Sequence, residues 1–340
     1  MAAWQTRAVT HMSLLDLARI GRGQSEADAL AASVELARVA ERSGHRRVWY
    51  AEHHNLPTVA SSVPAVLIAH IAAHTSSIIL GAGGVMLPNH APLAIAEQYG
   101  MLATLHPGRI ELGLGRAPGS DQTTMRAMRR DPSSADGFID DVRELRGYLA
   151  GVSEVPGVRA IPGAGTAVPL IILGSSLYGA AAAASLGLPY AFASHFSPGA
   201  LGQAVALYRE RYQPSDDHPE PHVYAAMNVL CADDVESAER QFLAAARERV
   251  ALLLGHRDFD DDTADAVLRS PQGQNLLHMM QYTAVGTPRH VAEQIKAFIA
   301  HADADEVVIA HSATTVDERL RSVELTAEAV HAAPVSAGTS

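Results

Sequence analysis

A chain of 340 residues, 48% hydrophobic and 19% charged, is too long for one small sandwich and suits one large α/β barrel or two ordinary domains. Its 26 basic against 37 acidic residues give a formal net charge of −11, so no global field draws it to nucleic acid or to an anionic membrane. The lone Cys231 excludes an internal disulfide framework and a multi-cysteine zinc site. No apolar run approaches the ~20 residues of a membrane span, and the opening MAAWQTRAVT lacks the basic-then-apolar plan of a signal peptide. The expectation is a soluble, cytoplasmic protein.

In chain order the patterning predicts a strand over 9–17, a helix over 25–43, a strand over 47–52 and a helix over 63–74. Strands over 77–85, 109–115 and 168–174 follow, with helices over 91–105, 133–150 and 176–186. Next come strands over 189–194, 222–232 and 305–310, with helices over 198–212, 234–254, 288–301 and 315–331. Strands alternating with helices at this length predict a (β/α)8 TIM barrel. VPLIILG and ADEVVIA are continuous apolar runs, as expected of parallel strands buried on both faces. Ser25 with Asp28 forms a capping-box pattern, Gly44 stops the first helix, and Thr287-Pro288 opens a later one. Residues 1–335 are therefore expected to form one barrel domain, with 336–340 a flexible tail. Two segments break the rhythm: 151–167, a loop or hairpin, and 255–285, whose acidic DFDDDTAD reads as a solvated connector or a lid over the catalytic rim.

A barrel of this kind carries its active site at the C-terminal ends of its strands. There the sequence places Asp16, then Glu52-His53-His54-Asn55, then GAGGVML with Pro88-Asn89-His90, then GLGRAPGSD. Gly174-Ser175-Ser176, Ser194-His195 and His311-Ser312 complete the rim, so several of the 17 histidines gather there by topology. His53 is the foremost candidate, following a strand directly between acidic and basic neighbours. His54, His90 and His311 read equally as hydrogen-bonded rim residues, Glu52 and Asn55 as braces, and Asp16 as a backbone acceptor or a ligand contact. His195, His311, Met227 and Asn228, with Asp16, are the candidates for a substrate-facing rim.

Other chemistries lack their patterns. No His-Glu-x-x-His, Cys-x-x-Cys or His-x-His after the first strand predicts a metal site. The run GLGRAPG has Pro118 at its sixth position and fails as a dinucleotide fingerprint, although bare glycine there would let a flat ligand approach. No Gly-x-Ser-x-Gly elbow supports a serine hydrolase. Ser175, Ser176 and Gly179 open a helix, where ordinary N-capping and a phosphate pocket are both open readings. Arg116 on a neighbouring strand end would supply the countercharge.

The runs YAEHHNLP (50–57), ILGAGGVMLPNHAPLAIAEQYGMLATLHPGRIELGLGRAPGSD (79–121), LGSSLYGAAAAASLGLPYAFASHF (173–196) and VGTP (285–288) resemble the luciferase-like flavin-dependent monooxygenase family. The likeness is greater to its single-chain bacterial subgroup, which includes natural-product and antibiotic-biosynthesis enzymes, than to the light-emitting heterodimer. The resemblance implies a dimeric barrel that takes reduced FMN from a separate NAD(P)H:flavin reductase. It implies O2 as co-substrate, captured as a flavin C4a-hydroperoxide that attacks an organic substrate by Baeyer–Villiger insertion, hydroxylation or epoxidation. It further implies proton transfer by His53, a non-prolyl cis peptide at Gly83-Gly84 against the flavin ring, and phosphate contacts from Arg116, Ser176 and Gly179. Ser175 is a further cofactor-binding candidate, but luciferase has a glutamate where it stands, so ribityl or phosphate contacts there need not transfer. A lid at 255–285 would keep water from the reactive flavin. Two other readings use the same barrel: a deazaflavin (F420)-dependent dehydrogenase and a non-catalytic FMN-binding flavoprotein.

Overall fold

The computed structural model describes residues 11–117 and 121–332. The first two residues of the predicted first strand and the predicted tail at 336–340 lie outside them. Among the described residues nine strands form, all paired in parallel: β1 (Met12–Asp16), β2 (Arg47–Tyr50), β3 (Ile79–Met86), β4 (Ile110–Gly115), β5 (Leu170–Gly174), β6 (Tyr190–Phe192), β7 (Val223–Cys231), β8 (Thr283–Gly286) and β9 (Glu306–His311). β1 to β7 and β9 close into the expected (β/α)8 barrel, and β8 is extra.

The extra strand has a geometric origin. β6 pairs only with Val223–Ala225, whereas β7 runs on to Cys231. Asn228 and Val229 are bonded to β9 on one edge and to β8 on the other, so β8 takes the edge that β6 leaves open.

Helices α1 (Glu26–Arg42), α2 (Pro64–Ala72) and α3 (Pro92–Leu105) fall where expected, and Ser25 and Asp28 do form the capping box of α1. α4 (Gln122–Ala127), capped by Asp121, was not foreseen. The predicted helix over 133–150 begins only at α5 (Phe138–Ala150), because a short 3-10 turn and Gly137 precede it. α6 (Leu177–Leu186) and α7 (Leu201–Arg211) match. The predicted helix over 234–254 divides into α8 (Val235–Arg249) and α9 (Ala251–Leu254), where the Val250 N–H reaches back to the Arg247 carbonyl at 3.1 Å. α12 (Pro288–Ala302) and α13 (Val316–Ala332) close the chain. Among the described residues no helix is long and apolar enough to cross a membrane.

The two irregular segments resolve differently. Residues 151–167 hold turns and no strand, and they pack tightly: a Cβ on Gly100 of α3 would stand 2.1 Å from the Gly163 Cα. Residues 255–285 are structured, with α10 (Asp261–Leu268), α11 (Pro271–Met279) and β8. Ala264, Leu268, Leu276 and Met280 share an apolar cluster with Ala246 and Val250 of the α8–α9 arm. The acidic run has local work: Asp260 caps α10, while Asp261 and Asp265 pair with Arg247 at 2.6 and 2.7 Å.

Side-chain alternation along the strands sets three layers inside the barrel. At the N-terminal end Arg47 lies between Glu111, 2.9 Å away, and Glu306, while Ser13 bonds both Arg47 and Glu306. Above it come Leu15, Trp49, Ile171, Tyr224 and Val308. Trp49 Nε1 donates to Glu111 at 3.2 Å, fixing the indole over the ionic layer. The third layer is the open C-terminal rim. Outside, a continuous apolar core joins strands to helices.

Two predictions follow from this packing. Arg47 is 2% exposed, so Arg47→Met strands two buried carboxylates and should cost about 3–5 kcal/mol in urea denaturation. Arg289→Ala removes only an exposed pair with Glu293 and should cost less than about 1 kcal/mol. Comparable losses in the two variants would contradict the ionic layer's role.

The second concerns acid. Burial lowers the pKa of His45 to about 4 from 6.5, and burial drives His311, bonded through Nδ1 to Ser322, well below its usual value. Both stay neutral when folded but protonate near 6.5 when unfolded, so their stability contribution is full above that pH and is lost as pH falls toward 4. Thermal melts should therefore show a lower Tm at pH 5.0 than at 7.5, and His45→Gln should shrink the gap. An unchanged Tm across that interval would count against it.

Candidate functional site

A cavity of about 850 Å³ opens at the C-terminal rim, lined from β1 to β7, β9, α8, α9 and the end of α11. His53, Gly83, Gly84, Arg116, Ser175, Ser176, Gly179 and His195 all line it, so the topology brings together most of the residues singled out from the sequence.

The rim between β2 and β3 is organised by Glu52. Its carboxylate, 1% exposed, accepts from Met86 N (3.0 Å), Asn89 Nδ2 (3.3 Å), His54 Nε2 (2.8 Å) and His90 Nε2 (2.9 Å). The Glu52 N–H in turn donates to the Gly84 carbonyl at 3.2 Å. Burial pushes the Glu52 carboxyl up, but the bonds and charge of His90, with His54 and the Met86 amide, outweigh it and hold it below the usual carboxylate range. His54 and His90 thus serve as braces, and His53 is left free to face the cavity. Its backbone N–H donates to Ser61 O at 3.0 Å, and its buried Nδ1 has no partner among the described residues. Burial lowers its pKa, against the pull of Glu52 and with help from His54, which favours the neutral ring.

The floor beside His53 is bare backbone. The Gly83–Gly84 peptide is cis, as the resemblance implied. A Cβ on Gly83 would lie 2.7 Å from the Trp49 Cβ, and one on Gly84 would lie 2.7 Å from the Gly113 carbonyl oxygen. Neither position has room for a side chain. Gly113 itself does not line the cavity: a Cβ there would meet the Ala82 carbonyl at 2.3 Å, so strand packing, not ligand approach, explains that glycine.

At the opposite wall, Ser176 is the N-cap of α6, yet its side chain makes no capping bond. Of the two open readings at that turn, ordinary capping by Ser176 is excluded. Tyr190 Oη instead donates to the Ser176 carbonyl at 3.1 Å, and Gly179, packed against Gly174, puts no side chain at that turn. Arg116 extends beside this terminus with its guanidinium 4.1 Å from the Tyr178 ring centroid and its Nε donating to Ala135 O at 3.2 Å. A helix N-terminus without a side-chain cap, its dipole and a guanidinium are together chemically suited to an anion. Pro118 and Gly119 of the same loop lie outside the described residues.

Four of the proposed substrate contacts stand elsewhere. Asp16 Oδ1 accepts from the Ala18 N–H at 2.9 Å and faces away from the cavity, because its neighbour Leu15 takes the inward position. Met227 packs into the outer core, one residue out of phase with inward Ala226. Asn228 is buried with its amide spent on His195 O (2.7 Å), Arg249 (3.2 Å) and Ser312 (3.0 Å). His311 points outward to Ser322 of α13. His195 does reach the cavity; burial, then Arg249, Arg19 and His53, lower its pKa to about 3.

Strand-end reasoning missed Trp49 and Tyr224 on the floor and Arg19, Glu248 and Arg249 on the wall. Arg249 sits at the end of a helix rather than of a strand, and its only signal was a cation beside the apolar ALLL. Among the described residues, no group of three or more His, Cys, Asp or Glu could hold a metal ion.

The luciferase-like monooxygenase family model matches residues 10–305. A luciferase-like monooxygenase of Escherichia coli K12 is 43% identical over 92% of this chain and 95% of its own length. The crystal structure of apo-MsnO8 superposes with a TM-score of 0.85 at 34% identity, covering 95% of this chain and 99% of that one. The same fold, at 18% and 14% identity, is that of a Pseudomonas putida type II Baeyer–Villiger monooxygenase in complex with FMN (TM-score 0.72; 94% and 97% coverage) and an F420-dependent secondary alcohol dehydrogenase (0.68; 94% and 99%). The chain belongs to the luciferase-like monooxygenase family.

Proposed function

We propose that the cavity binds reduced FMN and that the protein uses it with O2 to insert one oxygen atom into an organic substrate, the other leaving as water. The observation that carries this reading is the pairing of a side-chain-free floor at Gly83–Gly84 with an uncapped helix N-terminus and Arg116 in one cavity. A flat ring system bearing a phosphate fits both. Arg116 and the α6 amides, with Ser175 and Ser176, would hold the phosphate. When bound, reduced flavin supplies the two electrons of the oxygenation. Electrons would come from a separate NAD(P)H:flavin reductase, in keeping with a glycine-rich run that fails the nicotinamide fingerprint.

The remaining tasks belong to the chain itself. His53, neutral and unpartnered at Nδ1, accepts and returns a proton at the reacting centre. Glu52 keeps it there by engaging its neighbours. Leu252 and Met279, from α9 and α11, lie over the rim beside the apolar floor, where they exclude water. The F420 reading shares only the fold with its 14%-identical neighbour, whereas the 43% identity is to a monooxygenase.

Flavin fluorescence quenching and an 18O2 assay with reductase, NADH and FMN, over long-chain aldehydes, cyclic ketones and thioethers, separate the roles. Arg116→Ala should weaken FMN binding about tenfold or more through loss of a charge-assisted bond. His53→Ala should leave FMN affinity within about threefold yet cut 18O incorporation about 100-fold. Equal loss of FMN binding in both variants contradicts the assignment, and a wild-type protein that binds FMN but labels no substrate supports a non-catalytic flavoprotein instead.

A further inference from the structure

The wall of the cavity away from Arg116 holds a second cationic group. Arg249, the last residue of α8, lines the cavity and is 8% exposed. Its Nη2 donates to Asn228 Oδ1 at 3.2 Å, while its buried Nε has no partner among the described residues. Asn228 is itself locked by Ser312 and the His195 carbonyl, so the guanidinium is held from behind and presented forward. Burial, and then the cation Arg19 that lines the same cavity, push the Arg249 pKa down to about 9. Glu248 also lines this wall, but its charge is engaged by Arg19, Arg319 and Arg22. The α8 C-terminus favours a cation, yet that dipole amounts to only about half a charge.

A buried guanidinium without a counter-ion is costly, and one that lines a cavity with an N–H left unpartnered is suited to receive an anion. The barrel order places this group far from the phosphate site. Arg116 and Ser175–Ser176 follow β4 and β5, whereas Arg19 follows β1 and Arg249 closes the arm after β7, and β1, β9 and β7 are neighbours across the barrel. Apolar Ile20, Phe196, Leu252 and Met279 line the same cavity, and Arg19, Glu248 and His195 are the polar groups that line it with Arg249.

We propose that Arg249 recognises a carboxylate on the substrate, and that the substrate class is therefore an organic acid with an apolar body. This rests on the reading of the cavity as a flavin and substrate site. Arg249 binds the carboxylate in forked geometry, Arg19 adds to the local positive potential, and neutral His195 offers a further hydrogen bond.

Isothermal titration of the full chain, with and without FMN, against octanoate, phenylacetate and benzoate and their uncharged amides tests this. At least one acid should bind the wild type about tenfold or more tightly than its amide, as a charge-assisted pair provides. Arg249→Gln should abolish that preference, and Arg249→Lys should keep part of it; a circular dichroism melt checks that each variant is folded. If no acid outbinds its amide, or if the preference survives intact in Arg249→Gln, the proposal is overturned. The wild-type comparison needs no variant to fold. FMN titrated into the same samples separates the two readings. Loss of the acid preference with FMN bound overturns this inference alone, and an acid preference without any FMN binding overturns the flavin reading alone.

Discussion

The Glu52 carboxylate gathers donors from Met86, Asn89, His54 and His90, and its backbone N–H closes the circle at the Gly84 carbonyl. Because it is buried, each of those bonds replaces water that the carboxylate has given up, and losing one leaves charge unpaired in a low-dielectric setting. The end of β2 and the end of β3 are thereby tied together. That tie sets the position of His53 over the bare Gly83–Gly84 backbone, and it consumes the two other histidines of the rim. The chemistry rests on what Glu52 does not touch.

Much of the fold was legible because barrel strands buried on both faces leave continuous apolar runs, as in β5 and β9. β8 was not legible: four residues, half of them only partly buried, form a strand because β7 outruns β6, which is a fact of register and not of local sequence. The break at Val250 lay inside an unbroken helical pattern and shows only in the backbone bond from its N–H to the Arg247 carbonyl. Of the site, residues immediately after a strand were found where a single alternation decided their direction. His311 and Met227 were misplaced by one step of that alternation, and Asn228, in phase with inward Ala226, is covered by His195 and Arg249. Arg249 itself comes from a helix end folded back over the barrel, which only the tertiary structure reveals.

Charge gives a similar lesson about scale. A net charge of −11 predicts repulsion of a phosphate at long range, but that field is screened over roughly 10 Å at ordinary ionic strength. At short range the potential is set by Arg116, the α6 amides and their dipole on one side, and by Arg249 with Arg19 on the other. Of the carboxylates that line the cavity, Asp121 caps α4, Asp131 bonds Ser133 and Glu248 is engaged by Arg19, Arg319 and Arg22, while Glu111 and Glu306 neutralise Arg47 at the bottom of the barrel and the acidic run at 258–265 caps α10 and holds Arg247. The cavity thus sets Arg116 and Arg249 on separate walls within an acidic protein.

The most direct measurement of the central claim compares FMN with riboflavin on the wild-type protein. The two share the ring system and ribityl chain and differ only in the phosphate. If the phosphate lies between Arg116 and the α6 N-terminus, FMN should bind about tenfold or more tightly, and the difference should narrow as salt or free phosphate is added. Equal affinities for FMN and riboflavin, unmoved by phosphate, would contradict the account.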